Sequence, residues 1–231
     1  MAHYTLSNQQ EHAEAVAPIA DPSPLGLSAL AFTTAILGCI YAGFIIPRSV
    51  ASISIAVAAF LIGGFVQILA GMWEFRKGNT LAATVFSAYG GFLMALGVLF
   101  LPGFGILAIL FATGIYPAAL GLFFLCWTIF TGVLLLAALR TNMALVLVLA
   151  LLFVGYLFLT IGQLARGSSS VVLAIGGWFS IACAVVAWYV ALADLLRAAN
   201  SPMQLPTGQI RWGQQNHPVV EESHDKGYSV H

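Results

Sequence analysis

The stretch GGFVQILAGMWEFRKGNTLAATVFSAYGGF, residues 63–92, places a short charged segment between two long apolar runs. Its charges are confined to the middle, in WEFRK at residues 73–77. Gly78 is suited to ending a helix because glycine adopts the left-handed conformation without strain, and Asn79 or Thr80 can then cap the next helix. The stretch therefore predicts two apolar helices joined by a tight turn.

The composition indicates the solvent around these helices. Of the 231 residues, 61% are apolar and only 7% are charged. A soluble domain of this size cannot bury that much apolar surface, so most of it must contact lipid. The net charge of zero argues against nucleic-acid binding. The three cysteines lie in separate apolar runs and the five histidines lie in polar tails, so we expect no metal site and no cofactor.

A helix that crosses a bilayer needs about 20 mostly apolar residues. Six runs of that length are present, at residues 27–46, 50–73, 79–101, 115–139, 142–165 and 170–193. The intervening ILAILFATG, residues 106–114, is too short to cross and predicts an interfacial or re-entrant segment. We therefore predict an all-α membrane protein with six transmembrane helices in a compact bundle.

The basic residues predict the orientation, because they are more frequent in cytoplasmic loops. With the N-terminus inside, the cytoplasmic set is Arg76, Lys77, Arg140, Arg197, Arg211 and Lys226, and the outside set is Arg48 and Arg166. Both termini are therefore predicted to be cytoplasmic. A transmembrane domain at residues 27–196 lies between polar tails at 1–26 and 197–231.

No charged residue lies near the middle of any predicted span, where proton-relaying transporters usually carry an acid. Polar residues do fall on helix faces. One face holds Gly64, Gln67, Gly71 and Glu74, and another holds Leu152, Tyr156, Leu159 and Gln163. A glutamine buried in a membrane helix needs a partner. Hydrogen bonds between helices and a hydrated path both account for Gln67 and Gln163, and the pattern does not separate them.

Three stretches of the chain share features with one known family. They are DPSPLGLSAL at 21–30, the stretch at 63–92 with its Q-x-x-A-G-x-x-E and K-G-N-T elements, and IGGWFSIACAVVAWYVALADLL at 175–196. Together they resemble the NPAPLGL signature, the second and third helices, and the last helix of the acetate uptake transporter family, the succinate–acetate permeases. The resemblance covers residues 21 to about 196.

This resemblance implies a six-helix protomer, assembled as a homo-hexamer in the plasma (cell inner) membrane, with a path for acetate, succinate or other small carboxylates through each protomer. The family's constriction is formed by a phenylalanine, a tyrosine and a leucine, which match Leu30, Tyr89 and Leu152 here. Two positions depart from the family pattern. Leu30 replaces the phenylalanine, which changes the expected width of the gate, and Asp21 replaces the first asparagine of the signature.

The helix-start signature comprises Asp21, Pro22, Pro24 and Gly26. Prolines fit a first helical turn because their missing N–H groups would be unpaired there, and Asp21 or Ser23 can cap the remaining donors. The positive end of the helix either serves as a cap alone or also forms a vestibule for anions. Further candidates for the substrate path are Thr33, Thr34, Gln67, Phe86, Tyr156 and Gln163.

With no basic residue along the path, a carboxylate must rely on hydroxyls, amides, backbone donors and water. This favours a channel-like path with a hydrophobic neck, and a weakly proton-coupled carrier also fits. Two alternatives remain open at this point: a pore for neutral solutes such as ammonia or urea, and a membrane scaffold or sensor that acts through its tails. No acid pair or nucleophile–base set indicates an enzyme, so no catalytic residue is predicted.

Overall fold

The computed structural model describes residues 19–45, 52–165 and 169–208. Within these ranges the helices are α1 (Ser23–Ala42), α2, α3 (Thr80–Phe100), α4 (Ile106–Ala112), α5 (Tyr116–Ala138), α6 (Met143–Leu164) and α7 (Ser170–Ala198). Helix α2 is continuous, from α-helical Ser52–Val57 through π-helical Ala58–Val66 to α-helical Gln67–Lys77. Arg48, Arg166, Arg211, Lys226 and most of both predicted tails lie outside the described residues.

Six of these helices are long and apolar enough to cross a membrane: α1, α2 from Ile55 to Lys77, α3, α5, α6 and α7. Helix α4 has seven residues and is too short. The six predicted spans are therefore confirmed, and the intervening segment is too short to cross a membrane; its interfacial or re-entrant placement stays a prediction. Helix α1 begins four residues earlier than the predicted 27, because Pro24 occupies its first turn. Helix α7 extends five residues past the predicted 193.

The turn between α2 and α3 has the predicted chemistry. Gly78 has a φ of +84° and donates its N–H to the carbonyl of Phe75 at 3.1 Å. The side chain of Asn79 accepts a hydrogen bond from the N–H of Ala82 at 3.2 Å. The glycine therefore ends α2 and the asparagine caps α3, as the sequence predicts.

The six long helices form a ring. Each helix packs against the next in the order α1, α2, α3, α5, α6 and α7, and α7 packs against α1 to close the ring. The contact between α1 and α7 is the most extensive. The two backbones approach so closely that a Cβ on Gly38 would lie 2.7 Å from the carbonyl oxygen of Gly177, so only glycine fits at this position without a shift. The contact between α3 and α5 is slight and is made largely by aromatic side chains. The ring therefore encloses one core, with its weakest seam between α3 and α5.

After α7 the chain turns back toward the bundle, and we call residues 201–208 the returning segment. The N–H of Met143, at the start of α6, donates to the carbonyl of Gly208 at 2.9 Å. The hydroxyl of Tyr189 donates to the carbonyl of Pro206 at 2.8 Å. The returning segment thus supplies acceptors for the first turn of α6, whose N–H groups have no partner within the helix.

Candidate transport path

The three predicted constriction residues lie at a similar depth inside the ring. Leu30 is seven residues from the start of α1, and Tyr89 and Leu152 are nine residues from the starts of α3 and α6. At about 1.5 Å per residue these positions are about 10 to 14 Å from the same end of the bundle. All three side chains are at most 1% exposed and belong to one cluster of buried apolar residues. We call these three residues the neck.

The helices that contribute the neck, α1, α3 and α6, contain no charged residue along their lengths. The neck is therefore flanked by apolar, hydroxyl and amide groups. Among the described residues, no group of three or more histidine, cysteine, aspartate or glutamate side chains could hold a metal ion.

Aromatic rings fill the interior beside the neck, and sequence reasoning did not single most of them out. The ring of Tyr89 lies 5.6 Å from Trp127 on α5 and 6.3 Å from Tyr156 on α6, between ring centroids. Its hydroxyl lies 2.6 Å from the hydroxyl of Thr131. The seam between α3 and α5 is therefore closed at this level by side chains and one hydroxyl pair.

A second set of rings crosses the interior. Phe124 on α5 lies 6.0 Å from Tyr41 on α1 and 5.9 Å from Tyr156, between centroids. The face of α6 predicted from the spacing of Leu152, Tyr156, Leu159 and Gln163 is buried along its whole length. The Tyr156 hydroxyl is buried and has no hydrogen-bond partner among the described residues.

The hydroxyls of the two predicted threonines, Thr33 and Thr34, form hydrogen bonds within their own helix, α1. The hydroxyl of Thr33 donates to the carbonyl of Ala29 at 3.1 Å, and that of Thr34 donates to the carbonyl of Leu30. Their oxygens remain potential acceptors. Both threonines are buried.

Gly26 and Phe86 belong to one contact between α1 and α3. A Cβ on Gly26 would lie 2.6 Å from the Phe86 ring. The glycine of the signature therefore leaves room for the aromatic side chain, which is itself buried. The structure brings together two sites that the sequence suggested separately.

The helix-start signature also binds the charged turn that ends α2. Lys77 Nζ lies 2.8 Å from Asp21 Oδ1, and the Ser23 hydroxyl donates to Glu74 Oε1 at 2.5 Å. Partial burial raises the pKa of Asp21, but hydrogen bonds from Lys77 and Ser23 outweigh it and hold that pKa below its usual value. The DPSP and WEFRK motifs are thus one structural unit.

The capping prediction for α1 needs a correction. The residue at the cap position is Pro22, and no side chain makes a capping hydrogen bond there. Asp21 instead accepts a hydrogen bond from the N–H of Ser23 at 3.0 Å. The Asp21 carboxylate lies one residue before the cap position, which Pro22 occupies, and prolines restrict the backbone there. It still accepts a hydrogen bond from one backbone N–H in the first turn of α1, that of Ser23.

Sequence reasoning missed the burial of Glu74, which it placed at a helix end beside Arg76 and Lys77. The Glu74 side chain is fully buried and its Oε2 has no hydrogen-bond partner among the described residues. Gln67 is equally buried, and neither atom of its amide has a protein partner in that part of the chain. For Gln67, the described structure thus lacks the hydrogen bond between helices that was one of its two explanations.

The hydroxyl of Ser87 is likewise buried, with no hydrogen-bond partner in the part of the chain that the structure describes. It lies directly across from Gly71, where a Cβ would approach the Ser87 backbone nitrogen to 2.8 Å. Ser87 was not singled out from the sequence. The small size of both residues, the glycine on α2 and the serine on α3, is the signal in the sequence that could have indicated a close approach of these two helices.

Comparison with known proteins places these features in context. The profile of the GPR1/FUN34/yaaH family matches residues 4–212. Acetate permease A of Emericella nidulans is 39% identical over 203 residues, which cover 84% of this chain and 67% of that protein. The succinate-acetate/proton symporter SatP of Escherichia coli K12 is 30% identical over 192 residues, covering 83% of this chain and 96% of SatP.

Ammonia transport outward protein 2 of Saccharomyces cerevisiae is 33% identical over 211 residues, covering 90% of this chain and 68% of that protein. The chain thus spans about two thirds of the length of these fungal relatives and nearly all of the bacterial one. Among solved structures, the bacterial acetate channel SatP superimposes with a TM-score of 0.68 and 28% identity, over 82% of this chain and 99% of SatP.

Proposed function

This chain belongs to the GPR1/FUN34/yaaH family, and on that premise we propose that it transports acetate across the plasma membrane through the interior of its helical ring. It is a multi-pass membrane protein, and six helices among its described residues are long and apolar enough to cross the bilayer. The observation that carries the proposal is the match to the SatP acetate channel over nearly the whole of that structure. Succinate is the second substrate we propose, since the SatP symporter is named for both acids.

In this proposal the neck is the selectivity filter. Leu30 and Leu152 present apolar surface to the methyl group of acetate, and the rings of Tyr89 and Tyr156 border the same space. The Tyr156 hydroxyl donates to the carboxylate as water is removed, because it has no partner in the described structure. A leucine at position 30 is smaller than the family's phenylalanine, so this neck should accept larger acids than a neck lined by phenylalanine.

The remaining path candidates lie on either side of the neck. Thr33 and Thr34 follow Leu30 on α1 by about one turn, and Gln163 lies farther along α6 on the face of Leu152. Phe86 and Gln67 lie on α3 and α2. We propose that these groups border hydrated parts of the path, and that the start of α1 with its Asp21 signature forms the vestibule at the near end.

We further propose that this end of the bundle is cytoplasmic and that residues 27–196 form the transport domain between tails at 1–26 and 197–231. The described basic residues Arg76, Lys77, Arg140 and Arg197 all lie at helix ends on this side. Assembly as a homo-hexamer is part of the same proposal. The exposed apolar residues along one face of α5, Leu122, Ile129, Val133 and Leu136, would contact either lipid or a second copy.

The test is uptake of radiolabelled acetate into liposomes that contain the purified full-length protein, compared with empty liposomes. Leu152→Ala should raise the flux of larger carboxylates relative to acetate by about tenfold. The substitution widens the neck by the volume of a few methylene groups, and a difference of one methylene in an apolar pocket already changes the preference between two substrates about tenfold or more. Leu147→Ala is the matched control, since Leu147 lies on the same helix but is half exposed on its outer side. Equal selectivity in the two variants would refute the placement of the neck, and no uptake above empty liposomes would refute acetate transport.

A second candidate is outward transport of ammonia, which is favoured by the similarity to ammonia transport outward protein 2. A neck without charged residues would also admit a small neutral molecule. Competition separates the two functions. Unlabelled acetate should suppress labelled acetate flux while methylammonium and urea leave it unchanged; the reverse pattern, with labelled methylammonium as substrate, would support the ammonia function.

A further inference from the structure

An apolar groove follows the outer side of the bundle where α6 begins. Its walls are the first turns of α6 and the face of α7 from Val185 to Tyr189, and residues 206–208 of the returning segment close one side. The groove has a volume of about 640 Å³, within the range of sites that hold small organic ligands. It faces away from the interior of the ring, because Met143, Val185 and Tyr189 are all exposed. The groove is therefore separate from the proposed acetate path.

The groove extends from the headgroup level of the membrane toward its middle. Helix α7 has 29 residues and is about 43 Å long, so it exceeds the hydrocarbon core of about 30 Å. Its charged end, with Asp194 and Arg197, must lie outside that core. Val185 is about 18 Å from Arg197 along α7, which is close to the 15 Å of hydrocarbon in one leaflet, roughly half of the core. The groove thus has about the depth of one acyl chain.

Two arginines lie at the headgroup end of the groove. Arg197 Nη2 donates to the Thr207 hydroxyl at 3.4 Å, and Thr207 lines the groove. Arg197 Nη1 also donates to Asp194 Oδ1 at 2.9 Å, while the Arg197 side chain remains half exposed. Arg140, in the turn just before α6, is exposed and forms no ion pair among the described residues. Since Asp194 is the one acid on α6 or α7, this end of the groove is net positive.

We propose that the groove binds an anionic phospholipid of the surrounding leaflet, with an acyl chain between α6 and α7 and the phosphate at Arg140 and Arg197. The planar guanidinium has five N–H donors and can bind a phosphate through two parallel hydrogen bonds. Basic pockets between membrane helices bind anionic headgroups. This lipid site goes beyond the proposed transport of acetate and does not depend on it.

Charge favours a lipid over a second copy of the chain as the occupant. At this end of the bundle the described residues include four basic side chains, at positions 76, 77, 140 and 197, and three acidic ones, at 21, 74 and 194. A copy inserted in the same orientation would present the same net positive end at this depth. A lipid phosphate instead brings the negative charge that the two arginines lack.

The test is native mass spectrometry of the full-length protein in detergent, titrated with phosphatidylglycerol or with phosphatidylcholine that has the same acyl chains. The wild type should prefer phosphatidylglycerol by roughly 25-fold, a factor of about five for each arginine, as expected for a basic residue at an anionic membrane surface. Arg140→Gln and Arg197→Gln should each lower the preference about fivefold. Arg76→Gln is the matched control, since Arg76 is exposed at the same end but lies on α2, outside the groove.

A further variant separates the groove from the surface charge. Val185→Trp places a large ring in the groove from an exposed position and leaves both arginines unchanged, so it should abolish the preferential binding of phosphatidylglycerol while the protein still folds. Binding that survives in Val185→Trp would overturn the lipid site. Equal preferences in wild type, Arg140→Gln and Arg197→Gln would also overturn it, as would an equal loss in Arg76→Gln and Arg140→Gln.

Two other results would assign the groove to a different occupant and overturn the proposal. If Val185→Trp reduces the number of copies in the assembly and leaves lipid binding unchanged, the groove is a contact between copies. If phosphatidylglycerol binds preferentially only after residues 209–231 are removed, the groove holds the end of the chain itself. Acetate flux does not enter any of these readouts, so failure of the lipid site and failure of the proposed function are distinguishable.

Discussion

The contact between Gly71 and Ser87 joins α2 to α3, and replacing Gly71 by alanine should destabilise the protein. The added Cβ would lie 2.8 Å from the Ser87 backbone nitrogen and 3.2 Å from the Ala83 carbonyl oxygen, so two helix backbones must separate. Overpacking of this kind costs about 1–3 kcal/mol. Because backbone cannot rotate away, we expect the upper end, offset by about 1 kcal/mol from the better helix propensity of alanine. The net loss is about 2 kcal/mol.

Gly91→Ala is the matched control on the neighbouring helix. Among the described residues, no atom of another helix lies within 4 Å of a Cβ at this position, so the substitution should leave stability unchanged or raise it. The assay is thermal unfolding of both purified variants in the same detergent. At about 2–4 °C per kcal/mol for a chain of this size, Gly71→Ala should unfold several degrees below the wild type. Equal midpoints for the two variants would refute the close approach of α2 and α3.

Three further predictions concern single polar contacts. Asp21→Asn should cost less than about 1 kcal/mol at neutral pH, because both side chains of the pair with Lys77 are more than a third exposed. Since the folded pKa of Asp21 is lowered, that contribution is present above its unfolded pKa of about 4 and is lost as the pH falls through the folded pKa; unfolding midpoints of wild type and variant should therefore converge in acid. Tyr89→Phe removes the hydroxyl pair with Thr131 and should cost about 1 kcal/mol in denaturant titrations. The Thr131 hydroxyl still donates to the carbonyl of Trp127, and an unchanged free energy of unfolding would show that the pair does not stabilise the protein. Tyr189→Phe removes the bond to the returning segment, so amide hydrogen exchange at the start of α6 should quicken while exchange in α1 stays the same.

The membrane spans and the α2–α3 turn can be predicted from the sequence because they depend on local chemistry. A charged segment cannot remain in the hydrocarbon core, and Gly78 with Asn79 specifies a helix end and a helix start within two residues. The buried face of α6 can also be predicted, since Leu152 and Tyr156 are one turn apart on a regular helix. These inferences need no knowledge of distant contacts.

The burial of Glu74 depends on such a contact. Its partner Ser23 is 51 residues away in the chain, and the neighbours Arg76 and Lys77 suggest an exposed helix end. The π-helical segment Ala58–Val66 cannot be recognised from the sequence either. A helix is recognised from the spacing of apolar and polar residues, and a uniformly apolar segment has no such spacing to distinguish a π-helix from an α-helix. The roles of Trp127 and Thr131 at the seam likewise follow from how α3 and α5 meet in space.

On the path proposed above, the uncharged lengths of α1, α3 and α6 would set the affinity of the interior for acetate. An acetate ion that exchanges water for hydroxyls and amides, and never meets a fixed cation, gains little on entering and is released quickly. Such a protein does not scavenge traces of its solute. Its rate of transport instead keeps rising as the concentration of acetate rises.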